Sequence, residues 1–553
     1  MISLKCFSVI KRLVGAALVC GVVCSMTTGA FAAASTPYHD FIRGVDVSML
    51  NEIETRGGKY YENGVQKDAM QILKNHGANY VRLKLWVNPY DAQGKSYGGG
   101  GNDFNTTLHL AQRAKKIGLR VLIDFHFSDF WADPGTQSKP KAWENLSYSK
   151  LKSTLYTYVK STMNDFCSYG VIPDMVQLGN EISSGILWDD GKVGSGNNDF
   201  TKLAELLQSA ISGVRDSSDN RAKIILHLDN GGSYSLYQWW FDSILNCGIS
   251  LDFNIIGLTY YPMWHGTLNE LQYNMNAVSK KYNKNVLIVE TAYGWTTADG
   301  DGLGSSFNEQ DAERAGYPAS PDGQAKFVSD LKSTLLNVPN DRGLGFFYWE
   351  PDWIPVAGAN WGTKEGAAYI DDHGFLSNPW DNLTLFDFQG NALKSINCLN
   401  EPAPNLIQNS DFEADGYTNS PSQWQVWLET GVDSSTIKIE SSAAYSGQFN
   451  LSLWNNKAYK ASVYQKVTGL ENGTYTLSAW VKRKGKQKVC QLYAKSYNGN
   501  EMNAPLPISD TGWSKVTVSN IKVTNGQCEI GLYTEAGAND WCNIDHVMFR
   551  KVN

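Results

Sequence analysis

Several residue patterns that would place a chain in a large functional class are scarce or missing from this one. No CxxC pair and no Cys/His spacing of the zinc-binding kind occurs, and there are only 8 histidines in 553 residues. Beyond the first thirty-odd residues no apolar run approaches the roughly 20 residues that a membrane-spanning helix needs. Basic residues cluster only at "VKRKGKQK" (481–488), and the formal charge is −7, which excludes a polyanion-binding surface and with it a nucleic-acid partner. Of nine cysteines three lie near the N-terminus, leaving Cys167, Cys247, Cys398, Cys490, Cys528 and Cys542 widely spread. The last three are near enough in sequence for one disulfide, but spacing alone does not choose the pair.

What is present begins with a leader. Lys5, Lys11 and Arg12 precede the apolar run "LVGAALVCGVVC" and the small-residue stretch "AFAAAS", the pattern of a secretory signal peptide cut after Ala32 or Ala34. Residues 1–34 are therefore read as a signal peptide, and the mature chain as a secreted extracellular protein without a membrane anchor. It is too long for one core. Eighteen tryptophans and 28 tyrosines exceed ordinary use and suit surfaces that stack on sugar rings as well as large cores.

From residue 40 onward, eight short β-rich runs alternate with amphipathic segments such as "TTLHLAQRAKKIG". The runs are "GVDVSML", "YVRLKLW", "RVLIDFHF", "MVQLGNEI", "KIILHLD", "IIGLTYY", "NVLIVETAY" and "GLGFFYWEP". Eight buried strands separated by helices predict an α/β domain, a (β/α)8 barrel over residues 35–395. The active site of that fold lies at the C-terminal strand ends, so polar residues where each run stops face it. That rule selects Asp46, Arg82, Asp124, His126, Asn180, Glu181, His227, Asp229, Tyr260, Tyr261, Glu290, Trp349 and Glu350. Glu181 and Glu290 stand on opposing strands, the arrangement of a glycosidase carboxyl pair. In retaining enzymes such groups lie about 5 to 5.5 Å apart, one raised in pKa as acid and one depressed as nucleophile.

In order along the chain, "GVDVSML", "LKLWVNP", "DFHFSDFWADPGTQSKPKAW", "QLGNEISSGILW", "YYPMWHGTL", "VETAYGW" and "FYWEPDW" resemble the endo-β-1,4-galactanases of glycoside hydrolase family 53. The clan carries Asn-Glu after strand four and Glu after strand seven. The resemblance implies Glu181 as acid/base, Glu290 as nucleophile, and Arg82, His126, Asn180, Tyr260 and Trp349 lining the sugar subsites, although Tyr260 also suits a core position. It implies hydrolysis of internal β-1,4 bonds of plant cell-wall galactan or arabinogalactan. An endo-glucanase or mannanase of the same clan, or a non-catalytic polysaccharide-binding protein, are the alternatives. Trp131, Trp264, Trp295, Trp353 and Trp361 follow strand ends and are candidate platforms. The resemblance further implies a structural calcium ion (Ca2+) held by Asp299, Asp301, Ser305, Asn378 and Asp381, with Leu303 standing where a histidine ligand is expected.

Residues 396–404, "INCLNEPAP", read as a Pro-rich linker, and beyond it short alternating strands without helical period predict an all-β jelly-roll sandwich over 405–553. "NLIQNSDFE" and "WCNIDHVMF" resemble carbohydrate-binding modules, family 61 above all. Trp454 and Trp541, near loops, are its candidate binding aromatics, whereas Trp480, in mid-strand, reads as core. A monomer is expected.

Overall fold

The computed structural model describes residues 41–552 apart from 219, 371–375, 402, 404, 442 and 443, so the leader lies outside the described residues. Strands Ile42–Asp46 (β1), Tyr80–Leu85 (β2), Arg120–Phe125 (β3), Met175–Leu178 (β4), Lys223–Leu228 (β5), Ile255–Thr259 (β6), Asn285–Thr291 (β7) and Gly343–Trp349 (β8) form a closed barrel, each paired parallel with its sequence neighbours and β8 with β1. The runs read from sequence are right in place, but β1 starts at Ile42 and β4 stops at Leu178, two residues short of Asn180.

Helices Ala69–Asn75 (α1), Phe104–Lys116 (α2), Tyr148–Ser168 (α3), Thr201–Arg215 (α4), Tyr234–Leu245 (α5), Leu268–Tyr282 (α6) and Pro321–Leu336 (α7) surround it. Most start where a side-chain oxygen accepts an orphan backbone N–H: Asp68, Asp103, Ser147, Ser233 and Ser320, with Thr267 and Glu270 forming a reciprocal capping box. After β8 the circle is completed by the 3-10 turn Lys394–Leu399, whose Ile396, Cys398 and Leu399 are buried in the barrel's core. Residues 396–399 are thus part of the barrel, and the linker is shorter than its proline content suggested.

Inward-facing residues alternate along each strand and stack in layers. The lower layer is apolar, built from residues such as Tyr80, Leu122, Ile225 and Phe347. Phe347 fills the barrel so closely that a β-carbon on Gly44 would stand 2.2 Å from its ring. One step up, the same faces carry Asp46, Arg82, Asp124, Gln177 and His227, all buried.

Strands Gln425–Leu428 (β9), Ile437–Glu440 (β10), Asn450–Trp454 (β11), Tyr459–Thr468 (β12), Gly473–Lys484 (β13), Val489–Lys495 (β14), Met502–Pro505 (β15), Ser509–Val523 (β16), Gln527–Ala536 (β17) and Trp541–Lys551 (β18) make two five-stranded sheets, ordered β9-β12-β17-β14-β15 and β10-β11-β18-β13-β16. The strand pairings reported are antiparallel, and the two inner faces share one core. In that core Cys490 and Cys542 are both buried and free of a disulfide.

The sandwich is seated on the barrel through Tyr445. Its hydroxyl donates to the Asn337 carbonyl at 2.9 Å and accepts from Asn276 Nδ2 at 2.7 Å, while its ring stacks on Trp480 with centroids 4.2 Å apart. Trp480 therefore covers an interface instead of filling the sandwich core. Buried Asp545 shapes the loop by accepting the Tyr445 and Ser446 N–H groups, each at 2.9 Å. Asn340 of the barrel bonds Ser446 and Gly447 on the same loop. Barrel and sandwich should consequently unfold together. Tyr445→Ala, which deletes the stack and both hydrogen bonds at a cost of about 3 kcal/mol, is expected to split the calorimetric transition in two; a single unshifted transition would show that the remaining contacts couple the domains.

Candidate active site

The opening of the barrel is a pocket of ≈ 140 Å³ in which Glu181, Glu290, Arg82, Asn180, His126 and Trp349 meet. Both carboxyls arrive there through departures from regular strand. After β4 the chain turns at Gly179 (φ +88), where a β-carbon would lie 2.5 Å from Ile182, and Glu181 itself has φ +48. A left-handed conformation is costly for a non-glycine residue and is characteristic of side chains that a fold must aim. On β7 the pairing with β6 passes from Leu258↔Ile288 to Thr259↔Glu290, skipping Val289. That bulge lets Val289 stay in the lower apolar layer and turns Glu290 into the pocket.

Arg82 organises the floor. Its guanidinium donates to Asp46 Oδ2 at 2.7 Å and to Asp124 Oδ2, Asn180 Oδ1 and Glu290 Oε1, each at 2.8 Å. The other Glu290 oxygen accepts the Tyr261 hydroxyl at 3.3 Å. Glu181 is held differently. Gln177 Nε2 and the Glu181 N–H both approach His227 Nδ1, so the ring proton resides on Nε2, 2.8 Å from Thr259 Oγ1. Thr259 in turn donates to Glu181 Oε1 at 2.6 Å. Burial and the Arg82 charge push the His227 pKa far down, so this ring is neutral.

The two carboxyls differ in charge preference as their surroundings dictate. Loss of hydration, the Glu290 charge and Asp229 push Glu181 well above the ordinary carboxylate range. Burial also raises Glu290, to about 7, but there Arg82 opposes it. The nucleophile expected to be depressed is therefore raised, because desolvation and the neighbouring Asp124 and Asp46 charges outweigh the guanidinium. The order survives. Of the pair, Glu290 has the fixed cation at its oxygen and ionises first, leaving the proton on Glu181.

Other site readings meet mixed outcomes. His126 lines the pocket with its Nε2 3.0 Å from Asp124 Oδ2, and Trp349 lies edge-on to Trp380, 4.7 Å between centroids. Tyr260 does not face the pocket: its hydroxyl donates to the Gly266 carbonyl and its ring lies against Phe327, so it is a core aromatic of the barrel wall. Its neighbour Tyr261 takes the place at Glu290. Trp131 stacks on Trp361 at 4.2 Å, and Trp264, 42% exposed, adjoins Tyr261 and Trp380. Trp295 packs on Phe388 and Trp353 is buried beneath Trp361. Lys84, Gln177, Thr259 and Trp380 were missed; for Lys84 the signal existed, since it shares the inward face of "YVRLKLW" with Arg82.

Beside the barrel mouth Asp299, Asp301 and Asp381 converge, with one oxygen of each within 4.8 Å of the others. Ser305 Oγ donates to Asp381 Oδ1 at 2.9 Å. Burial, joined by the Asp301 and Asp299 charges, pushes Asp381 up to about 6. Such a set of hard oxygens fits a divalent cation like calcium. The Asn378 side chain points elsewhere, donating to the Trp353 carbonyl and accepting from the Trp380 N–H, and only its backbone N–H meets Asp301.

In the sandwich, Trp454 (41% exposed) pairs across strands with Trp541 at the end of the β11–β18 ladder. Neither borders the ≈ 470 Å³ groove on the other sheet, which is lined by Trp427, Tyr464, Tyr493 and Tyr533 with Gln491 and Glu529.

Residues 42–399 match the model of glycosyl hydrolase family 53. The chain is 37% identical over 376 residues to an endo-β-1,4-galactanase of Bacillus subtilis, covering 65% of this chain and 85% of that protein. It is 35% identical over 361 residues to an arabinogalactan endo-β-1,4-galactanase of Humicola insolens, covering 64% and 97%. The family 53 catalytic domain from Ignisphaera aggregans superimposes with a TM-score of 0.60 at 43% identity, over 65% of this chain and 95% of that one. Pocket, carboxyl pair and sequence together place the chain in glycosyl hydrolase family 53.

Proposed function

We propose that the protein is a retaining endo-β-1,4-galactanase, a reading carried by two carboxyls lining one pocket, of which only Glu290 is backed by a buried guanidinium. In the first step Glu181 gives its proton to the glycosidic oxygen as that bond to the anomeric carbon breaks, and Glu290 Oε forms the ester bond to the same carbon. In the second, Glu181 as carboxylate takes a proton from water, which displaces Glu290. Thr259, donating to Glu181 Oε1, leaves the other oxygen to carry the transferred proton. Tyr261 and Arg82 keep Glu290 aimed. Asn180 spends its oxygen on Arg82 and one N–H on the Ala132 carbonyl, leaving a second N–H for the sugar 2-hydroxyl. The galactan preference rests on the named activities of the relatives, and turnover of potato galactan against mannan and carboxymethylcellulose tests it.

Glu290→Gln and Glu181→Gln should each lower kcat on galactan at least about 10³-fold with the fold intact. With an activated aryl galactoside, azide should rescue Glu290→Ala to the inverted azide and Glu181→Ala to the retained one; the opposite stereochemistry would exchange the roles. The acidic limb of the kcat/KM profile should follow Glu290 ionisation near 7 and the basic limb loss of the Glu181 proton. On the activated substrate Glu181→Gln should keep the acidic limb and lose the basic one.

We propose further that Asp299, Asp301 and Asp381, with Ser305, hold calcium as a clamp between the segments after β7 and β8, supplying charge neutralisation and no chemistry. Chelation should lower the melting temperature by several degrees and added Ca2+ restore it. An unchanged melt under both treatments would dismiss the ion.

The leader supports secretion, and the sandwich is read as a galactan-binding module whose contact surface is the Trp427 groove, not Trp454 and Trp541. In a Glu290→Gln background, Trp427→Ala should reduce retardation in galactan affinity gels by about tenfold, whereas Trp454→Ala should leave it unchanged. The reverse result would return binding to the β11–β18 end.

A further inference from the structure

Two cations line the catalytic pocket among the described residues, and they are spent differently. Arg82 donates to four carboxylate or amide oxygens within 2.8 Å. Lys84, next on the same strand face and 2% exposed, has a single polar contact for its ammonium, Glu350 Oε1 at 3.5 Å. Its other sides meet aromatic faces: the centroid of Trp131 lies 4.3 Å away and that of Trp86 5.3 Å. An ammonium has three donors, and a charge removed from water requires them to be used. An ion pair serving only to neutralise Glu350 would close to about 2.8 Å. Glu350 Oε2 instead accepts the Met49 N–H at 3.1 Å, and burial pushes this carboxyl up, so it competes weakly for the lysine. Burial lowers the Lys84 pKa, with Glu350 and Asp46 opposing.

We propose that Lys84 is a substrate-binding and specificity-determining residue: its free donor, facing the pocket beside Trp131, takes a hydroxyl of the sugar unit seated on the Trp131–Trp361 side of the carboxyl pair. The proposal rests on the glycosidase reading of the site. Lys84 fixes one hydroxyl, and a sugar lacking or inverting that hydroxyl leaves a buried ammonium unsatisfied. The penalty falls on discrimination between sugars, not on the bond-breaking carboxyls, which Lys84 does not contact.

The test is a cycle between Lys84→Met and β-1,4-galacto-oligosaccharides each lacking one hydroxyl. In the wild type, one deoxygenation should lower kcat/KM about 10- to 100-fold, the worth of a hydrogen bond to a charged donor. Lys84→Met should lose a similar factor on the parent oligosaccharide and nothing more on that one analogue. Should Lys84→Met fold poorly, Lys84→Met/Glu350→Gln, which buries neither charge, carries the same cycle. Equal losses on every analogue in wild type and variant, or wild-type kcat/KM in Lys84→Met, would overturn the proposal. If the wild type leaves galactan intact, the galactanase reading fails by itself; the cycle is then run on deoxy analogues of the polysaccharide it does cleave, and absence of coupling there still removes Lys84 from the binding site.

Discussion

The guanidinium of Arg82 is the constraint around which the barrel mouth is arranged. It is 1% exposed and touches three carboxylates, Asp46, Asp124 and Glu290. Burying a cation without partners would be prohibitive, and removing one partner from such a network costs several kcal/mol. The barrel supplies the partners geometrically, because parallel register puts Asp46 directly beside Arg82 and Asp124 one step further round, opposite Lys84. Three acids against one base leave the cluster short of positive charge. Burial first, and for Glu290 the excess of acids over the one guanidinium as well, holds both pocket carboxyls above their ordinary range.

That shortage is also what makes two chemically identical side chains behave differently. Glu290 is bonded directly to the cation and to Tyr261, whereas Glu181 sees a neutral histidine through Thr259 and feels Glu290 as a like charge. These contacts alone separate the proton preferences of the two groups and carry the proposed division into acid and nucleophile. The apolar layer below, with Phe347 against Gly44, closes the barrel to water from beneath and keeps the effective dielectric low enough for the distinction to matter.

How much of this was legible beforehand follows from where regular periodicity holds. Inside strands it held, and the polar residues where the runs stop were readable too: eight apolar runs, their order, Arg82, Glu290 and Trp349 within strands, and Asn180 and Glu181 just beyond the end of β4. Just past a strand end the alternation has no force. Tyr260 and Tyr261 are equally placed by sequence, and only the observed path after Thr259 sends the first into the wall and the second to Glu290. Trp380, far along the loop after β8, carries no periodic signal at all. The sandwich repeats the problem on two sheets: alternation reveals that a tryptophan points outward, but not whether outward means the groove, as for Trp427, or the far ladder, as for Trp454. Asn378 shows a third limit, because a residue can occupy the right segment and still turn its amide toward Trp353.

On the proposed reading of the sandwich as a galactan-binding module, its seating on the barrel changes how that second surface can act. A flexible tether raises the local concentration of a polymer over a broad range of separations, at a cost set by linker length. Here the barrel's last turn ends at Leu399 and Tyr445, Ser446 and Gly447 are bonded to Asn337, Asn276 and Asn340, so the groove and the catalytic pocket keep a fixed separation. One chain of polymer engages both only where its own length and curvature match that separation. Otherwise the two surfaces hold different chains. On that reading, a docked module favours packed, multi-chain material over single soluble chains for a geometric reason.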